Sequence, residues 1–356
     1  MSKPKLFAWS VCVLVILIAL PLPAQESRVA PATGKDQVTL KSGDVWPGVN
    51  VESETYLQVK VTGKDPVDTT KIESIRHGDA PPDYFLAESN IRRGQYQDAL
   101  KRLEKARGAK ARPWLKHYCQ YYKAFCLQKL AEAQGRGYEA AIKEYDALIK
   151  AQPKGIWVPQ ATLGIVECYY LSGGLDKAMA KLQEVAKSDF PEYWKLKAKI
   201  WEGRLKLAQG KGEEAAATLS EVTKSAKKVL PEIYNEAVLY LAEALTRAKK
   251  FDEAEQLLRN LVNEAQSDKL KAAAHNALGD CFMAQNKVKE ARFEFLRTVV
   301  LYFKQPEEYA RALFMAAQCF ELLKDAKGAD KLRAKLKKEC PDSVWAKRLE
   351  QPAKPG

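Results

Sequence analysis

Two periods of apolar residues divide the chain. From Gln37 to His77 they alternate. Leu57, Val59 and Val61 are separated by single polar residues, and Gln37 to Leu40, Val45 to Val51 and Lys71 to Ile75 are further short β-rich runs. Turn formers separate the runs at Ser42-Gly43-Asp44, Glu52-Ser53-Glu54 and Gly63-Lys64-Asp65-Pro66. About four or five such strands bury a face only by curling into a small barrel or by docking on something larger. Asp79-Ala80-Pro81-Pro82 then interrupts the chain, and from Asp83 to Leu349 the period is helical.

Within the helical region a small residue recurs. A large or aromatic residue usually stands three positions before it and an apolar one four after. The series is Tyr96/Ala99/Leu103, Tyr138/Ala141/Tyr145, Leu175/Ala178/Leu182, Gly212/Ala215/Leu219, Phe251/Ala254/Leu258, Val288/Ala291/Phe295 and Ala326/Ala329/Arg333. Successive alanines are 42, 37, 37, 39, 37 and 38 residues apart. This spacing predicts about seven helix-turn-helix units, with each alanine in the middle of the second helix, where two antiparallel helices cross. A single pair cannot cover its own apolar face. Stacked neighbours can, so the pattern predicts a mainly α architecture, an α-solenoid preceded by a small β segment. Pro191-Glu192, Pro231-Glu232 and Pro306-Glu307 fit helix starts, since proline lacks only a donor that is orphaned there and carboxylates favour the positive helix end. Trp157 and Trp194, 37 residues apart, read as core at equivalent joints between units.

Leu278-Gly279 through Ala291, Leu86-Ala87 through Gly94, Tyr96 and Ala99, and a closing Pro341 resemble the tetratricopeptide repeat. The resemblance covers Asp83 to Leu349. The unit of about 37 residues is similar to exported bacterial cell-envelope members of that family, such as the Tol–Pal coordination factor and the outer-membrane assembly lipoprotein. Two places depart from the pattern. Leu127 to Arg136 is extended by about five residues, and Arg333 replaces a core residue, which suggests a capping helix. In the β segment, Val38-Thr39-Leu40-Lys41-Ser42-Gly43, Gly48 and the closing Ile72 to Ile75 run resemble a small SH3-like or Sm-like barrel.

The repeat resemblance implies a protein-binding scaffold whose first helices line a concave groove. The residue after each Leu-Gly/Ala pair then points into it: Glu88, Glu167, Arg204, Glu243, Asp280 and Gln318, with Phe125 in the irregular second unit. One turn away lie Tyr84, Tyr121, Leu163, Tyr170 and Met283. Asp280 stands where family members that grip a C-terminal carboxylate have Asn, which argues against such a clamp. Four acidic positions in the groove imply a partner segment, extended or helical, with basic and apolar residues. Solvated carboxylates with no partner are the alternative.

Composition and charge refine the picture. Apolar residues make up 46% of the chain, enough for a packed core throughout most of it. Lys3 and Lys5, the uncharged Leu6 to Leu20 and Pro21-Leu22-Pro23-Ala24 have the order of a secretory signal peptide, with cleavage expected after Ala24. An uncleaved inner-membrane anchor is the alternative, because the run approaches the ~20 residues that span a bilayer. Cys12, preceded by Val11, does not fit a lipoprotein signal. The expected organisation is a signal peptide over residues 1–24, a linker over 25–35, a β segment over 36–78, the solenoid over 83–349 and a tail over 350–356. The expected location is periplasmic or secreted.

Export argues against nucleic acid as partner, although the formal charge is +13 and remains +11 after loss of Lys3 and Lys5. The positive charges are interleaved with Glu along helix faces, as on a solvated surface. Cys119, Cys126, Cys168, Cys281, Cys319 and Cys340 fall in or at the ends of predicted helices without a Cys-x-x-Cys pair, and read as buried small hydrophobes. His77, His117 and His275 are isolated in sequence, and no cluster has metal-ligand spacing. No phosphate-cradling loop or nucleophile motif occurs. The sequence therefore predicts a non-enzymatic scaffold or adaptor of the bacterial cell envelope, without cofactor or metal, binding other envelope proteins or peptide segments. One competing reading is an accessory module that positions a polysaccharide- or peptidoglycan-acting enzyme. Another, an RNA-binding barrel, requires retention in the cytoplasm.

Overall fold

The computed structural model describes residues 34–109, 113–227 and 230–349. The expected signal peptide, all but the last two linker residues and the expected tail lie outside the described residues. The described chain forms two compact units, one ending at Trp201 and the other beginning at Glu202.

The first unit opens with six short strands. β1 (Asp36–Leu40) pairs antiparallel with β2 (Val45–Val49) and β6 (Ile72–Arg76). β3 (Val51–Glu54), β4 (Gln58–Val61) and β5 (Val67–Asp68) form a second antiparallel sheet in the order β3-β4-β5. Val38, Val51, Val59 and Val61 are the buried core between them. Two sequence expectations change here. The run from Val45 to Val51 is broken at Asn50, and Glu52 to Glu54 belongs to a strand rather than a turn. The cause is burial: Val51 sits opposite Val61 in the core, which pulls Ser53 and Glu54 into register with Lys60 and Val59. The turn moves on to Thr55, whose hydroxyl donates to the Gln58 carbonyl, and Leu57 is left exposed. Asp36 joins the two sheets. Its carboxylate accepts from the Val51 amide at 2.8 Å and from the Gly78 amide at 3.0 Å.

Helices follow in pairs. The first unit contains α1 (Pro82–Arg92), α2 (Tyr96–Arg107), α3 (Trp114–Gln134), α4 (Tyr138–Ala151), α5 (Val158–Leu171), α6 (Leu175–Lys187) and most of α7 (Glu192–Ala208). In the second are α8 (Gly212–Ala226), α9 (Pro231–Arg247), α10 (Phe251–Glu264), α11 (Asp268–Ala284), α12 (Val288–Leu301), α13 (Pro306–Leu322), α14 (Ala326–Glu339) and the short α15 (Val344–Arg348). The architecture is the mainly helical solenoid that the repeat spacing predicts, with a small antiparallel β segment before it.

All seven repeat alanines are 0% exposed. Each is the fourth residue of its helix, not in the middle as expected. The turn joining a pair is short, so the first turn of the second helix meets the end of the first, and the tight contact falls there. In six of the seven pairs the residue two before the second helix has positive φ: Gly94, Gly173, Gly210, Lys249, Asn286 and Lys324. Glycine takes this backbone freely, whereas the lysines are strained by it. The extension between Leu127 and Arg136 is absorbed by α3, 21 residues long.

Large residues from second helices fill the space opposite glycines in first helices. A Cβ built on Gly203 would lie 2.6 Å from Leu219, and one on Gly279 would lie 2.5 Å from the Phe295 ring. Tyr145 of α4 covers Gly164 of α5 in the same way, at 2.8 Å. At the chain's far end Trp345 and Ala346 pack with Phe314 and Leu336. Arg333 is half-buried there and paired to Glu321 at 2.6 Å.

In the first unit the β segment lies along the loops that join one pair to the next. Tyr118 donates to Glu54 at 2.6 Å, the Tyr56 amide donates to the Lys154 carbonyl, and the Tyr56 hydroxyl donates to Asp189 at 2.6 Å. An isolated bridge pairs Thr55 with Gly155. The Tyr56 ring meets Phe190 edge-on at 5.0 Å. No helix among the described residues is long and apolar enough to cross a membrane.

Candidate functional site on the first-helix faces

The first helices of successive pairs touch along one side: α3 with α5 in the first unit, and α9 with α11 and α11 with α13 in the second. These contacts place the residues after each Leu-Gly/Ala pair on adjoining helices.

In the first unit, Glu88 is half-buried on α1. Burial raises its carboxyl, against the opposing pull of a hydrogen bond from Tyr84 and the charges of Arg92, Arg76 and His77. Phe125 on α3 lies under the Lys129 ammonium, 5.6 Å from its ring centroid. Glu167 on α5 accepts from Gln128 Nε2 at 2.9 Å, and Gln128 Oε1 accepts from the Tyr145 hydroxyl at 3.0 Å. Beside them Lys129 pairs with Glu132 at 2.8 Å. Burial lowers the Lys129 ammonium, but Glu167 and Glu132 outweigh it and the net direction is up. Tyr170 is half-buried and meets Trp201 edge-on at 5.6 Å. Tyr84 and Tyr121 are only 4% and 2% exposed. They point between helices, and Tyr121 stacks on Trp157 at 4.2 Å. They shape the joint from inside and offer little surface to a partner.

In the second unit, Arg204 is buried with its guanidinium 4.9 Å from the Tyr240 ring centroid. Glu243 pairs with Arg247 at 3.1 Å on α9. Asp280 on α11 forms an ion pair with Arg311 of α13, and Asn276 Nδ2 donates to the Glu308 carboxylate at 2.7 Å and its carbonyl at 3.0 Å. Burial raises both the Glu243 and the Asp280 carboxyls, against the pull of Arg247 and Arg311 respectively. Met283 is buried against Cys319, and Gln318 is half-buried at the matching place on α13.

The acidic character that the sequence implies for this face is thus offset by arginines. Arg247 and Arg311 were not among the expected site residues. Arg247 stands one turn after Glu243 at i+4, a spacing that could have disclosed it. Arg311 is 31 residues from Asp280 and belongs to the next pair, so only the stacking brings the two together.

The six described cysteines are free. Burial pushes the thiols of Cys119, Cys126 and Cys319 up to about 12, so they stay protonated and behave as the small hydrophobes expected. A further group lies apart from the helix faces: Asp36, His77 and Asp79, with one ligand atom of each within 4.8 Å of the others. Sequence spacing did not disclose it.

Residues 129–192 and 202–269 match a family model described as the tetratricopeptide repeat, and residues 311–343 match a second model of the same description. These segments are tetratricopeptide repeats. No curated protein matches the chain significantly. Among solved structures, a tetratricopeptide repeat protein from Parabacteroides merdae is similar with a TM-score of 0.53 at 15% identity, over 75% of this chain and 95% of that one. The apo form of the quorum sensor NprR from B. thuringiensis gives 0.56 at 13% identity, over 71% of this chain and 74% of that one. A Rap protein complexed with Competence and Sporulation Factor gives 0.53 at 12% identity, over 75% of this chain and 77% of that one. At these identities the likeness is one of fold.

Proposed function

We propose that the chain is a non-enzymatic scaffold or adaptor of the bacterial cell envelope that holds a segment of a partner protein against its first-helix faces. The observation that supports this most is the row of charged pairs and rings on adjoining first helices, Glu167–Gln128 in the first unit and Glu243–Arg247 and Asp280–Arg311 in the second. Each pair sits at the repeat position that the resemblance assigns to partner contact. That a Rap protein of similar fold was solved with a bound factor agrees with this use of the fold. Placement in the envelope rests on Lys3, Lys5 and the uncharged run from Leu6 to Ala24.

Alternating charges favour a partner segment that is itself mixed in charge and has apolar residues between its charges. Such a segment can replace the Arg311 contact at Asp280, or the Asp280 contact at Arg311, without leaving a buried charge alone.

The test is photo-crosslinking in intact cells. A crosslinking residue is placed at Glu167, Glu243 or Gln318, and as controls at the exposed second-helix positions Lys289 and Lys331. Adducts with a discrete envelope protein from the first three positions alone are expected. Equal labelling at the controls, or recovery of the chain in the cytoplasm with Met1 to Ala24 intact, refutes the reading.

A further inference from the structure

The junction between the β segment and the helices gathers one imidazole and three carboxylates. Asp36 comes from the start of β1. His77 directly follows β6, Asp79 lies in the turn before α1, and Glu54 ends β3. His77 is 3% exposed. Its ring is fixed from both sides, stacked on Trp114 at 3.9 Å and meeting the edge of Tyr118 at 5.4 Å. Nδ1 has no aligned hydrogen-bond partner, an arrangement native cores rarely leave without a purpose, while Nε2 faces Glu54.

His77 Nδ1 lies 3.6 Å from Asp36 Oδ1, too long for a hydrogen bond. Two donors on one tetrahedral zinc ion stand roughly 3.3 Å apart, given metal–ligand bonds of about 2.0–2.2 Å. One oxygen of Asp79 falls in the same space, and the three donor atoms lie within 4.8 Å of one another. On the ring's other edge Nε2 is 2.9 Å from Glu54 Oε1, while Glu54 Oε2 is held by the Tyr118 hydroxyl at 2.6 Å. A metal-bound histidine characteristically gives its second nitrogen to a carboxylate of this kind, which sets the tautomer and the ring direction.

We propose that Asp36, His77 and Asp79 form a site for a divalent first-row cation of the zinc type, bound through His77 Nδ1, with Glu54 as the positioning residue on Nε2. One imidazole with two carboxylates suits zinc better than calcium or magnesium, which take all-oxygen shells. The ligands come from the first strand, the end of the last strand and the turn leading to α1. A bound ion therefore closes the β segment on itself and fixes its exit beside Trp114. The role is structural, and it is independent of what the helix faces bind.

The experiment uses the full-length chain, stripped with a chelator, dialysed against zinc chloride and read by atomic emission. The imidazole nitrogen resonances are recorded in parallel, and only three histidines contribute to them. One zinc per chain is expected, with the His77 Nδ1 resonance moving and Nε2 remaining protonated. D79N and H77Q lose the ion, and E54Q weakens binding by about 10–100-fold. Circular dichroism shows whether each variant is folded, and the nitrogen spectra of the unaltered chain decide the matter even if one is not. Zinc retention no higher than in H77Q overturns the proposal. So does a shift confined to His117 or His275, or metal contact at Nε2. An unmoved His77 would instead be an imidazole held among its carboxylates without an ion.

Discussion

The two units build the same repeat with different side chains. In the first, the joints are filled by rings: Tyr84, Tyr118, Tyr121, Tyr122, Tyr138 and Tyr145 are buried together, with Trp114 and Trp157 packed against them. The second relies on alanine, with Ala272, Ala273, Ala274, Ala310, Ala312, Ala316 and Ala317 all buried on α11 and α13. Rings bring hydroxyls that need partners, and those partners are Gln128 for Tyr145 and Glu54 for Tyr118. In the second unit the first helices are tied directly by Asn276 to Glu308 and Asp280 to Arg311, as α3 and α5 are by Gln128 to Glu167 in the first. One repeat geometry thus admits joints filled by rings and joints lined by alanine. The loops differ accordingly. Phe190, between α6 and α7, is partly covered by Tyr56, whereas Phe303, between α12 and α13, is 58% exposed.

The comparison can be broken by removing a ring. Tyr145→Ala should cost about 3–5 kcal/mol, as for other large buried aromatics, and should also leave Gln128 without its donor. Hydrogen exchange should show the loss in α3 to α5 and not in α11 to α13. Uniform loss across both units would mean that the joints are not independent in the way described.

The second unit should fail from the opposite change, overpacking within the pair α11 and α12. Gly279→Ala forces a methyl against the Phe295 ring and should destabilise the second unit by about 1–3 kcal/mol in urea unfolding. Pairing it with Phe295→Leu should recover part of that loss.

A smaller effect tests the grip of the β segment. Tyr56→Phe removes the hydrogen bond to Asp189, worth about 0.5–1.5 kcal/mol. Burial, then Asp189, pushes the Tyr56 hydroxyl from 10.0 to about 12, so the folded state holds this proton more tightly than the unfolded chain does. The resulting stability is fully present below pH 10 and is lost as pH rises toward 12. The variant should therefore lack that part of the alkaline decline seen in the unaltered chain.

The smallest expected effect is a gain. Lys249 and Lys324 occupy the left-handed turn position that Gly94, Gly173 and Gly210 fill elsewhere. Lys249→Gly should raise stability by about 0.5 kcal/mol, once glycine's extra freedom in the unfolded chain is set against the relieved strain. A fall in the unfolding midpoint would show that the lysine side chain holds something the backbone angle does not reveal.

Much of this was legible beforehand, and the reason is periodicity. A buried alanine and a left-handed turn recur because every pair has the same local geometry, so Ala99 through Ala329 could be read from spacing alone. What escaped depends on contacts between distant segments. Glu54 reads as a turn residue until Val51 is seen to be buried opposite Val61. Asp36 and His77 are far apart along the chain, and only closure of the two sheets brings them together. Among the expected groove residues, Tyr84, Tyr121 and Met283 lie a turn from the exposed position. A turn of helix is enough to swing a side chain from the open face into the joint.

The position of the β segment also bears on how the molecule comes apart. Linear arrays of repeats open from their ends, because a terminal pair has only one neighbour. In the first unit Glu54, Thr55 and Tyr56 reach Tyr118, Gly155 and Asp189, which belong to three successive inter-repeat joints. The amino-terminal pairs therefore cannot peel away singly; releasing one requires releasing the strap that crosses all three. Among the described helices, α15 is only five residues long and should exchange its amide hydrogens early.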